Sequence, residues 1–253
     1  MRGLLLGPTV ATLSIVIPAY NEEKRLPALL DALKREADAA AAAAGLELLE
    51  VLIVDDGSTD RTKAILEGGT AGDPRLVAVH DYERNRGKGA AFAAGVARAR
   101  GDWTLLADVD LSTPLTELAK LTAATGAGAD IAIGSRNVRG AIVERGPLHR
   151  KVLGNSFNTI VRGLTGLRLH DTQNGFKLFP TAVAKRLLAE QSCPGFSFDV
   201  ELLMRADREG LKIAEVPIIY QHDASSTVRV GSAGAGMLRD VLGLSWRVRV
   251  RGR

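Results

Sequence analysis

The fold is decided by the stretch LSIVIPAYNE, residues 13–22. Its first five residues form an apolar run, and Pro18 ends that run because proline has no N–H to donate to a strand ladder. We predict a buried strand over Leu13–Ile17. A helix is predicted over Leu26–Ala44, where leucines recur at helical spacing and Gly45 is a suitable C-cap.

The same pattern of apolar run and helical segment repeats along the chain. Further strands are predicted at Glu50–Val54, Leu76–Val79, Trp103–Leu106 and Ile131–Ile133, with a strand-like run at Val216–Tyr220. Helices are predicted from Ser58 through Leu66 and over Gly87–Arg100. Apolar strands that alternate with helices indicate an α/β fold, with a mostly parallel central sheet and helices on both faces.

Length and composition favour one domain with a tail. The 253 residues are 46% hydrophobic and 25% charged, which suits a globular core, and no linker-like stretch divides the middle of the chain. We predict a domain over residues 1–235 and a basic amphipathic tail over residues 236–253. The tail is either a solvated chain end or an anchor for anionic lipid, in which arginines after Trp246 meet the head groups.

Charge, cysteine count and hydropathy argue against several classes of protein. A net charge of +4 with only 4% aromatic residues does not suit a nucleic-acid binder. Cys193 is the only cysteine, so neither an internal disulfide nor a cysteine zinc site is expected. No run approaches the roughly 18 apolar residues of a membrane-spanning helix, and residues 3–13 lack the flanks of a signal peptide. We expect a cytoplasmic protein, with peripheral contact at the cytoplasmic membrane face left open, as is its oligomeric state.

Polar clusters follow the predicted strands. They are Tyr20-Asn21-Glu22, Asp55-Asp56, Asp108 with Asp110, and Ser135-Arg136. Ligands of open α/β sheets bind beyond the carboxyl ends of the strands, so these clusters should converge on one crevice. No GxGxxG follows the first strand and no GxxxxGK[ST] occurs, so neither a dehydrogenase-type dinucleotide site nor a P-loop is indicated.

Asp108 and Asp110 form a candidate metal site. At a strand end, a turn can aim both carboxylates at one hard cation such as Mg²⁺ or Mn²⁺, with phosphate oxygens and water as the other ligands. Such an ion would neutralise a departing diphosphate. Ser112 either adds an oxygen ligand or caps the helix predicted from Pro114.

Asp55 and Asp56 have two interpretations. Their carboxylates suit the hydroxyls of a ribose or the N–H of a nucleobase. Alternatively, Asp55, Ser58 and Asp60 satisfy backbone amides in a turn and a helix start.

A series of sequence blocks in a fixed order resembles family-2 glycosyltransferases of the GT-A fold, whose nucleotide-binding half is Rossmann-like. These blocks are SIVIPAYNE (14–22), VDDGSTD (54–60), NRGKG (85–89) and ADVD (107–110). The blocks DLSTP (110–114), IGSR (133–136), HDTQNGFK (170–177) and FSFDVE (196–201) resemble the branch of dolichyl-phosphate or polyprenyl-phosphate glucosyl- and mannosyltransferases. The likeness runs from about Leu13 to about Arg239.

The resemblance implies an inverting, metal-dependent hexosyltransferase. It would move glucose or mannose from UDP-glucose or GDP-mannose to a polyprenyl or dolichyl phosphate, with glucose favoured by the block at 171–177. The residues implied to line the nucleotide pocket are Pro18, Ala19, Tyr20, Glu22, Asp55, Asp56, Lys88, Asp108 and Val109. Asp108 and Asp110 would hold Mg²⁺ or Mn²⁺, helped by Ser112 where the family often has glutamine.

The acceptor side is implied to be cationic. A phosphate monoester has a second pKa of about 6, so it is largely dianionic at neutral pH and needs cations to position it more than it needs a base. Arg136 and Arg150 match positions where the family binds that phosphate, and Lys177 and Arg229 are further candidates. Asp171 either orients a sugar hydroxyl or acts as a base toward a neutral acceptor. The groups assigned to catalysis are thus Asp110, Arg136, Arg150, Asp171 and Lys177.

Three further residues have two interpretations each. Asp199 and Glu201 stand two apart in an apolar stretch, where a strand or a helix start would expose both, unless they only cap a helix. His222 is either a metal or diphosphate contact or an ordinary loop histidine.

Three other functions compete with this one. A soluble family-2 transferase that acts on a small alcohol or a polysaccharide is the main alternative. A nucleotidyltransferase would need a glycine-rich basic loop after the first strand, where this chain has residues 18–22. A non-catalytic sugar-nucleotide binder would not need Asp108 and Asp110.

Overall fold

A seven-stranded sheet forms the centre of the computed structural model, which describes residues 10–144, 158–222 and 240–244. Its strands are β1 (Thr12–Ala19), β2 (Glu47–Asp55), β3 (Leu76–Val79), β4 (Trp103–Leu106), β5 (Ile131–Ser135), β7 (Lys177–Pro180) and β8 (Ile213–Pro217). Two short strands, β6 (Ile142–Val143) and β9 (Ile219–Tyr220), pair separately.

Helices connect most of these strands. They are α1 (Leu26–Ala43), α2 (Thr62–Thr70), α3 (Lys88–Arg98), α4 (Leu118–Gly126), α5 (158–165), α6 (Thr181–Ala189) and α7 (Phe198–Arg208). A short 3₁₀ helix, Leu115–Glu117, precedes α4, and residues 240–244 are also helical.

The strand order is β3-β2-β1-β4-β7-β5-β8, and β7 is antiparallel to both of its neighbours. The other paired strands of this sheet are parallel, which confirms the predicted mostly parallel sheet. Because β7 runs backwards, it begins beside the carboxyl ends of β4 and β5, with Lys177 in register with Leu106 and Ile133. The loop at 170–176 is thereby delivered to the edge of the sheet where the polar clusters lie.

Both faces of the sheet are covered. Successive side chains of β1 point to opposite faces, and they are apolar on both, so each face needs a packing partner. Ile15 and Ile17 pack into one core with the leucines of α1. Val16, between them, packs into the opposite core with Phe92 of α3 and Phe198 of α7. Those two rings lie 5.2 Å apart at their centroids.

Several predicted boundaries need correction. α2 begins at Thr62 and not at Ser58, because the Ser58 hydroxyl accepts the amide of Asn21 and does not cap a helix. The run predicted at Val216–Tyr220 is divided between β8 and β9. The sequence patterns did not reveal β7, α6 and α7.

The start of the predicted tail at residue 236 lies outside the described residues. Of the tail, residues 240–244 are described, and Val241 and Leu244 are 0% and 1% exposed. Val241 belongs to the core beneath α3 and α7. These two apolar side chains therefore contribute to the folded body and not to a lipid-facing surface.

Candidate active site

The turns after β1 and β2 are joined to each other by hydrogen bonds. Asn21, which has a positive φ of 54°, donates its amide to Ser58 Oγ at 2.9 Å and accepts the Thr59 amide at 2.8 Å. The Glu22 amide donates to Thr62 Oγ1 at 2.7 Å. The first two sequence blocks thus form one surface, on which Tyr20 remains 43% exposed.

Asp55, at the end of β2, forms a turn. Its side chain is 4% exposed, and Oδ1 accepts the Ser58 amide at 3.0 Å. His80, which directly follows β3, places Nδ1 3.5 Å from Asp55 Oδ2. The turn interpretation of Asp55 therefore accounts for its local hydrogen bonds, and its contact with a nucleotide stays a prediction.

Asp56 anchors the loop before α3. Its oxygens accept the Asn85 side-chain amide at 2.8 Å and the Arg86 and Gly87 backbone amides at 2.9 and 2.8 Å. Burial raises the pKa of Asp56 although the two backbone amides lower it. This carboxylate positions the start of α3, which carries Lys88.

Asp108 and Asp110 occupy the turn after β4, and their surroundings differ. Lys88 Nζ lies 2.7 Å from Asp108 Oδ1. Asp110 Oδ1 accepts the Ser112 amide at 2.9 Å, and the nearest described cation to Asp110 Oδ2 is the more distant Arg25 Nη1, at 4.0 Å. Burial alone would raise the pKa of Asp108, but Lys88, Lys177 and other nearby cations hold it below its usual range. The Asp108 carboxylate is therefore available in the charged form that a hard cation requires.

The turn fits an oxygen-ligated divalent cation. Ser112 Oγ is buried and has no hydrogen-bond partner among the described residues, so it does not cap a helix there. Within the described ranges, no three His, Cys, Asp or Glu side chains form a metal-binding group. Two carboxylates and a hydroxyl suit an ion that takes its remaining ligands from phosphate and water.

A polar cavity adjoins this turn. The described residues that line it are Asp108, Ser112, Thr113, Arg136, Gln173, Asn174, Gly175, Phe176 and Tyr220. Asp110, also described, is not among them. Gln173 Nε2 is buried without a partner among the described residues. The cavity thus brings the candidate metal-binding turn together with the arginine of the IGSR block and the loop of the HDTQNGFK block.

Arg136 enters this cavity from the end of β5 and is held by Asp171. Its Nε and Nη2 donate to the two oxygens of Asp171 at 2.7 and 2.9 Å, and its backbone amide donates to Oδ2 at 3.0 Å. The guanidinium lies over the ring of Tyr220, 5.0 Å from the centroid. Burial acts to raise the pKa of Asp171, but Arg136 lowers it below its usual range. Asp171 is 0% exposed and does not line the cavity.

Lys177 lies beneath the cavity and not in it. The residue is 0% exposed, and its Nζ donates to the carboxylate of Asp199 and to the carbonyl of Asn174. Desolvation raises the pKa of Asp199 against the effect of Lys177 and Lys88. Lys177 is therefore a buried support of the loop at 170–176, and its assignment as an acceptor contact needs correction.

Gly175 packs closely against Asp108 in the turn after β4. A Cβ at this position would lie 2.4 Å from Asp108 Oδ1. Gly175 does not have a positive φ. The close approach to Asp108 therefore explains this glycine better than the tight turn expected from the sequence.

The remaining predicted residues fall in different places. Arg150 and Arg229 lie outside the described residues. His222 follows β9 and does not line the cavity. Asp199 and Glu201 are both buried in the first turn of α7, so the exposure expected of them is wrong.

Some cavity residues were not found from the sequence. Gln173 and Asn174 stand inside a quoted block, but their side chains were not assigned a contact. Tyr220 ends an apolar run and gave no sign of facing Arg136.

The chain belongs to glycosyltransferase family 2, whose sequence profile matches residues 14–188. The predicted enzyme class, a glycosyltransferase, is thereby confirmed. Within residues 10–144, 158–222 and 240–244, no helix is both long and apolar enough to span a membrane.

Two relatives confirm the predicted branch. Polyprenol monophosphomannose synthase of Mycolicibacterium smegmatis is 35% identical over 217 residues, which are 84% of this chain and 78% of the relative. Dolichyl-phosphate beta-glucosyltransferase ALG5A of Trichomonas vaginalis is 32% identical over 263 residues, which are 98% of this chain and 79% of the relative.

A solved structure confirms the fold. Glucosyl-3-phosphoglycerate synthase from Mycobacterium tuberculosis, in complex with Mn²⁺, UDP and glucosyl-3-phosphoglycerate, superposes with a TM-score of 0.68 at 21% identity. The match covers 93% of this chain and 80% of that one. The arrangement described above is therefore that of a GT-A fold.

Proposed function

We propose that this protein is an inverting hexosyltransferase that moves a sugar from a nucleotide-diphospho-sugar to a polyprenyl or dolichyl phosphate. UDP-glucose is our preferred donor over GDP-mannose. The family membership and the names of the two relatives support the reaction, and the dolichyl-phosphate beta-glucosyltransferases among the relatives support glucose.

The observation that carries the choice of acceptor is the pairing of Asp171 with Arg136. A hydroxyl acceptor needs a general base within reach of its proton. Asp171, the candidate base, is fully buried, absent from the cavity lining and made less basic because Arg136 lowers its pKa. Arg136 does line the cavity, where it presents a cation to an incoming phosphate, which is already a nucleophile at neutral pH.

The donor is proposed to bind across the surface of the first two blocks, with its diphosphate at the turn after β4. Pro18, Ala19, Tyr20 and Glu22 would contact the nucleoside, with Asp55 and Asp56 behind them. Asp108 and Asp110 would hold Mg²⁺ or Mn²⁺ with Ser112. The metal, when bound, supplies positive charge that stabilises the departing nucleoside diphosphate.

The chain's own residues would then orient the reaction. Asp171 keeps the Arg136 fork in one orientation, and Tyr220 supports its flat face. Arg136 would place an oxygen of the acceptor phosphate opposite the leaving diphosphate. That oxygen attacks the anomeric carbon as the bond to the nucleoside diphosphate breaks, which inverts the configuration.

We further propose that the protein meets its lipid acceptor at the cytoplasmic face of the membrane. The arginines from 247 to 253 are the candidate contacts with anionic lipid. Deletion of residues 245–253 should then reduce sedimentation with anionic liposomes and leave sedimentation with neutral liposomes unchanged. Equal binding of both forms to anionic liposomes would contradict this placement.

The acceptor is tested by replacing Arg136 with alanine. Transfer of labelled glucose from UDP-glucose to a detergent-dispersed polyprenyl phosphate should fall by roughly 100-fold or more, as for loss of a group that stabilises a transition-state anion. Hydrolysis of the donor in water should fall far less. Arg186→Ala is the matched control, because Arg186 pairs with Glu209 and does not line the cavity.

Two results would contradict the proposal. Equal losses of transfer and hydrolysis in Arg136→Ala would place Arg136 on the donor side. Wild-type protein that glucosylates a hydroxyl compound and leaves polyprenyl phosphate unchanged would establish the alternative acceptor.

A further inference from the structure

Glu215, on the terminal strand β8, is the centre of a hydrogen-bond cluster beside the cavity. Oε1 accepts the Ser135 hydroxyl and the Asp171 backbone amide, each at 2.9 Å. Oε2 accepts the His170 backbone amide and lies 2.8 Å from its Nδ1. The side chain of Glu215 is only 10% exposed, whereas that of His170 is 50% exposed, so the contacts with Ser135 and Asp171 are the more shielded from water.

The cluster requires a carboxylate at this position. Ser135, His170 and Asp171 present donors to Glu215, and an ionised carboxylate has about four lone-pair sites with which to accept them. A glutamine would accept through one oxygen and direct its NH₂ group at another N–H. A buried N–H facing an N–H is left unsatisfied, so Glu215→Gln should displace the chain at His170–Asp171.

That displacement would reach the cavity through Asp171. The carboxylate of Asp171 receives Nε, Nη2 and the backbone amide of Arg136 at distances of 2.7 to 3.0 Å. Ser135, the residue before Arg136, is bound to Glu215 as well. Glu215 therefore fixes both partners of the Arg136–Asp171 pair, from β5 on one side and from the loop at 170–176 on the other.

We propose that Glu215 is a positioning residue of the transfer reaction. It touches no reacting atom itself but sets the orientation in which Arg136 faces the acceptor. This inference rests on the proposed function, in which Arg136 receives the phosphate of the acceptor. Misplacement of such a group by about 1 Å costs up to roughly 100-fold in rate, so the effect is measurable.

The test compares Glu215→Gln with Glu50→Gln in steady-state kinetics. Glu50 is the matched control, because it is a buried glutamate that accepts the Ser14 hydroxyl and the Arg100 amide near the amino ends of β1 and β4. Glu215→Gln should raise the KM for polyprenyl phosphate by roughly 10-fold and change the KM for the donor by less than about twofold. Glu50→Gln should lower the Tm and leave both KM values unchanged.

A double-mutant cycle with Arg136→Ala separates positioning from general loosening. If Glu215 acts through Arg136, adding Glu215→Gln to Arg136→Ala should change kcat/KM for the acceptor by less than about twofold further. Fully additive losses would overturn the proposal, as would an unchanged acceptor KM in Glu215→Gln or an equal rise in Glu50→Gln. If Glu215→Gln does not fold, Glu215→Asp replaces it. Its shorter carboxylate should raise the acceptor KM several-fold, and no rise would overturn the proposal.

The wild-type protein distinguishes failure of this inference from failure of the proposed function. If the wild-type protein transfers no sugar to polyprenyl phosphate, the proposed function is wrong. If the wild-type protein transfers the sugar and Glu215→Gln is unaffected, the proposed function stands and only the positioning role of Glu215 is wrong.

Discussion

The candidate site has a proposed donor side and a proposed acceptor side, and the two hold their buried aspartates in different ways. On the donor side, after β1 and β2, Asp55 and Asp56 accept mainly backbone amides. On the acceptor side, near β5 and β7, Asp171 and Asp199 pair with Arg136 and Lys177. The turn after β4 combines both kinds, because Asp108 faces Lys88 while Asp110 accepts an amide.

This difference explains what each side can bind. Neutral amides hold a carboxylate in place without cancelling its charge, so Asp55 and Asp56 suit hydroxyl or N–H donors of a ligand. Cations that are fixed by buried carboxylates remain oriented for an anion, which suits a phosphate acceptor. Variants on the two sides test this difference.

The largest effect is expected at Asp110. Asp110→Asn should lose roughly 100-fold or more of the transfer rate, because an amide is a poor ligand for a hard cation that stabilises the leaving group. The asparagine oxygen can still accept the Ser112 amide, so the Tm should change little. Transfer rates measured across a Mn²⁺ titration check this, and full activity in a variant that still binds Mn²⁺ would contradict the role of Asp110.

The stability of the two sides should differ. Lys177→Met leaves Asp199 as an unpaired buried charge and should cost about 3–5 kcal/mol in free energy of unfolding. Asp56→Asn, on the donor side, should cost only about 1–3 kcal/mol, because it exchanges one acceptor oxygen for an amide nitrogen. Urea unfolding of both variants measures the difference. A smaller loss in free energy of unfolding for Lys177→Met than for Asp56→Asn would contradict the predicted difference between the two sides.

The contact between Gly175 and Asp108 predicts an intermediate effect. Gly175→Ala should reduce activity and Mn²⁺ affinity, because the new methyl group would displace the Asp108 carboxylate. Gly163→Ala, in helix α5 with nothing within 4 Å, should be neutral or stabilise by up to about 1 kcal/mol. Isothermal titration with Mn²⁺ and thermal unfolding check both variants, and equal behaviour of the two would show that Asp108 is not confined by Gly175.

The smallest effect concerns Cys193, which does not line the cavity. Burial, together with Glu201 and Asp240, raises the pKa of this thiol to about 11, and the residue is 4% exposed. Native protein should therefore react slowly with iodoacetamide at pH 8, and urea-unfolded protein should react fully. Mass spectrometry of the alkylated chain distinguishes the two. Rapid labelling of the native form would show that the loop at 190–195 opens.

Local sequence patterns predicted much of the sheet and the turns that carry the candidate site residues. Apolar runs located β1 to β5, and the polar residues that follow them marked the turns at Asp55 and Asp108 correctly. Patterns could not predict the partner of each charge. Lys177 looked like a free cation until Asp199, 22 residues later, proved to be its partner. Glu215 stood in an apolar segment with no feature to distinguish it from a solvent-facing strand residue.

The reversed strand β7 has a consequence for how the protein folds. It lies between β4 and β5 at the middle of the sheet, yet it follows β4 by about 70 residues of chain. The central hydrogen-bond ladder therefore closes only when this late segment returns, and such distant pairing is slow because of the entropy of closing a long loop. A nascent chain that ends before residue 180 would have β4 exposed as an unpaired edge. The turn at Asp108 and the side chain of Arg136 should thus become ordered in the same late step of folding.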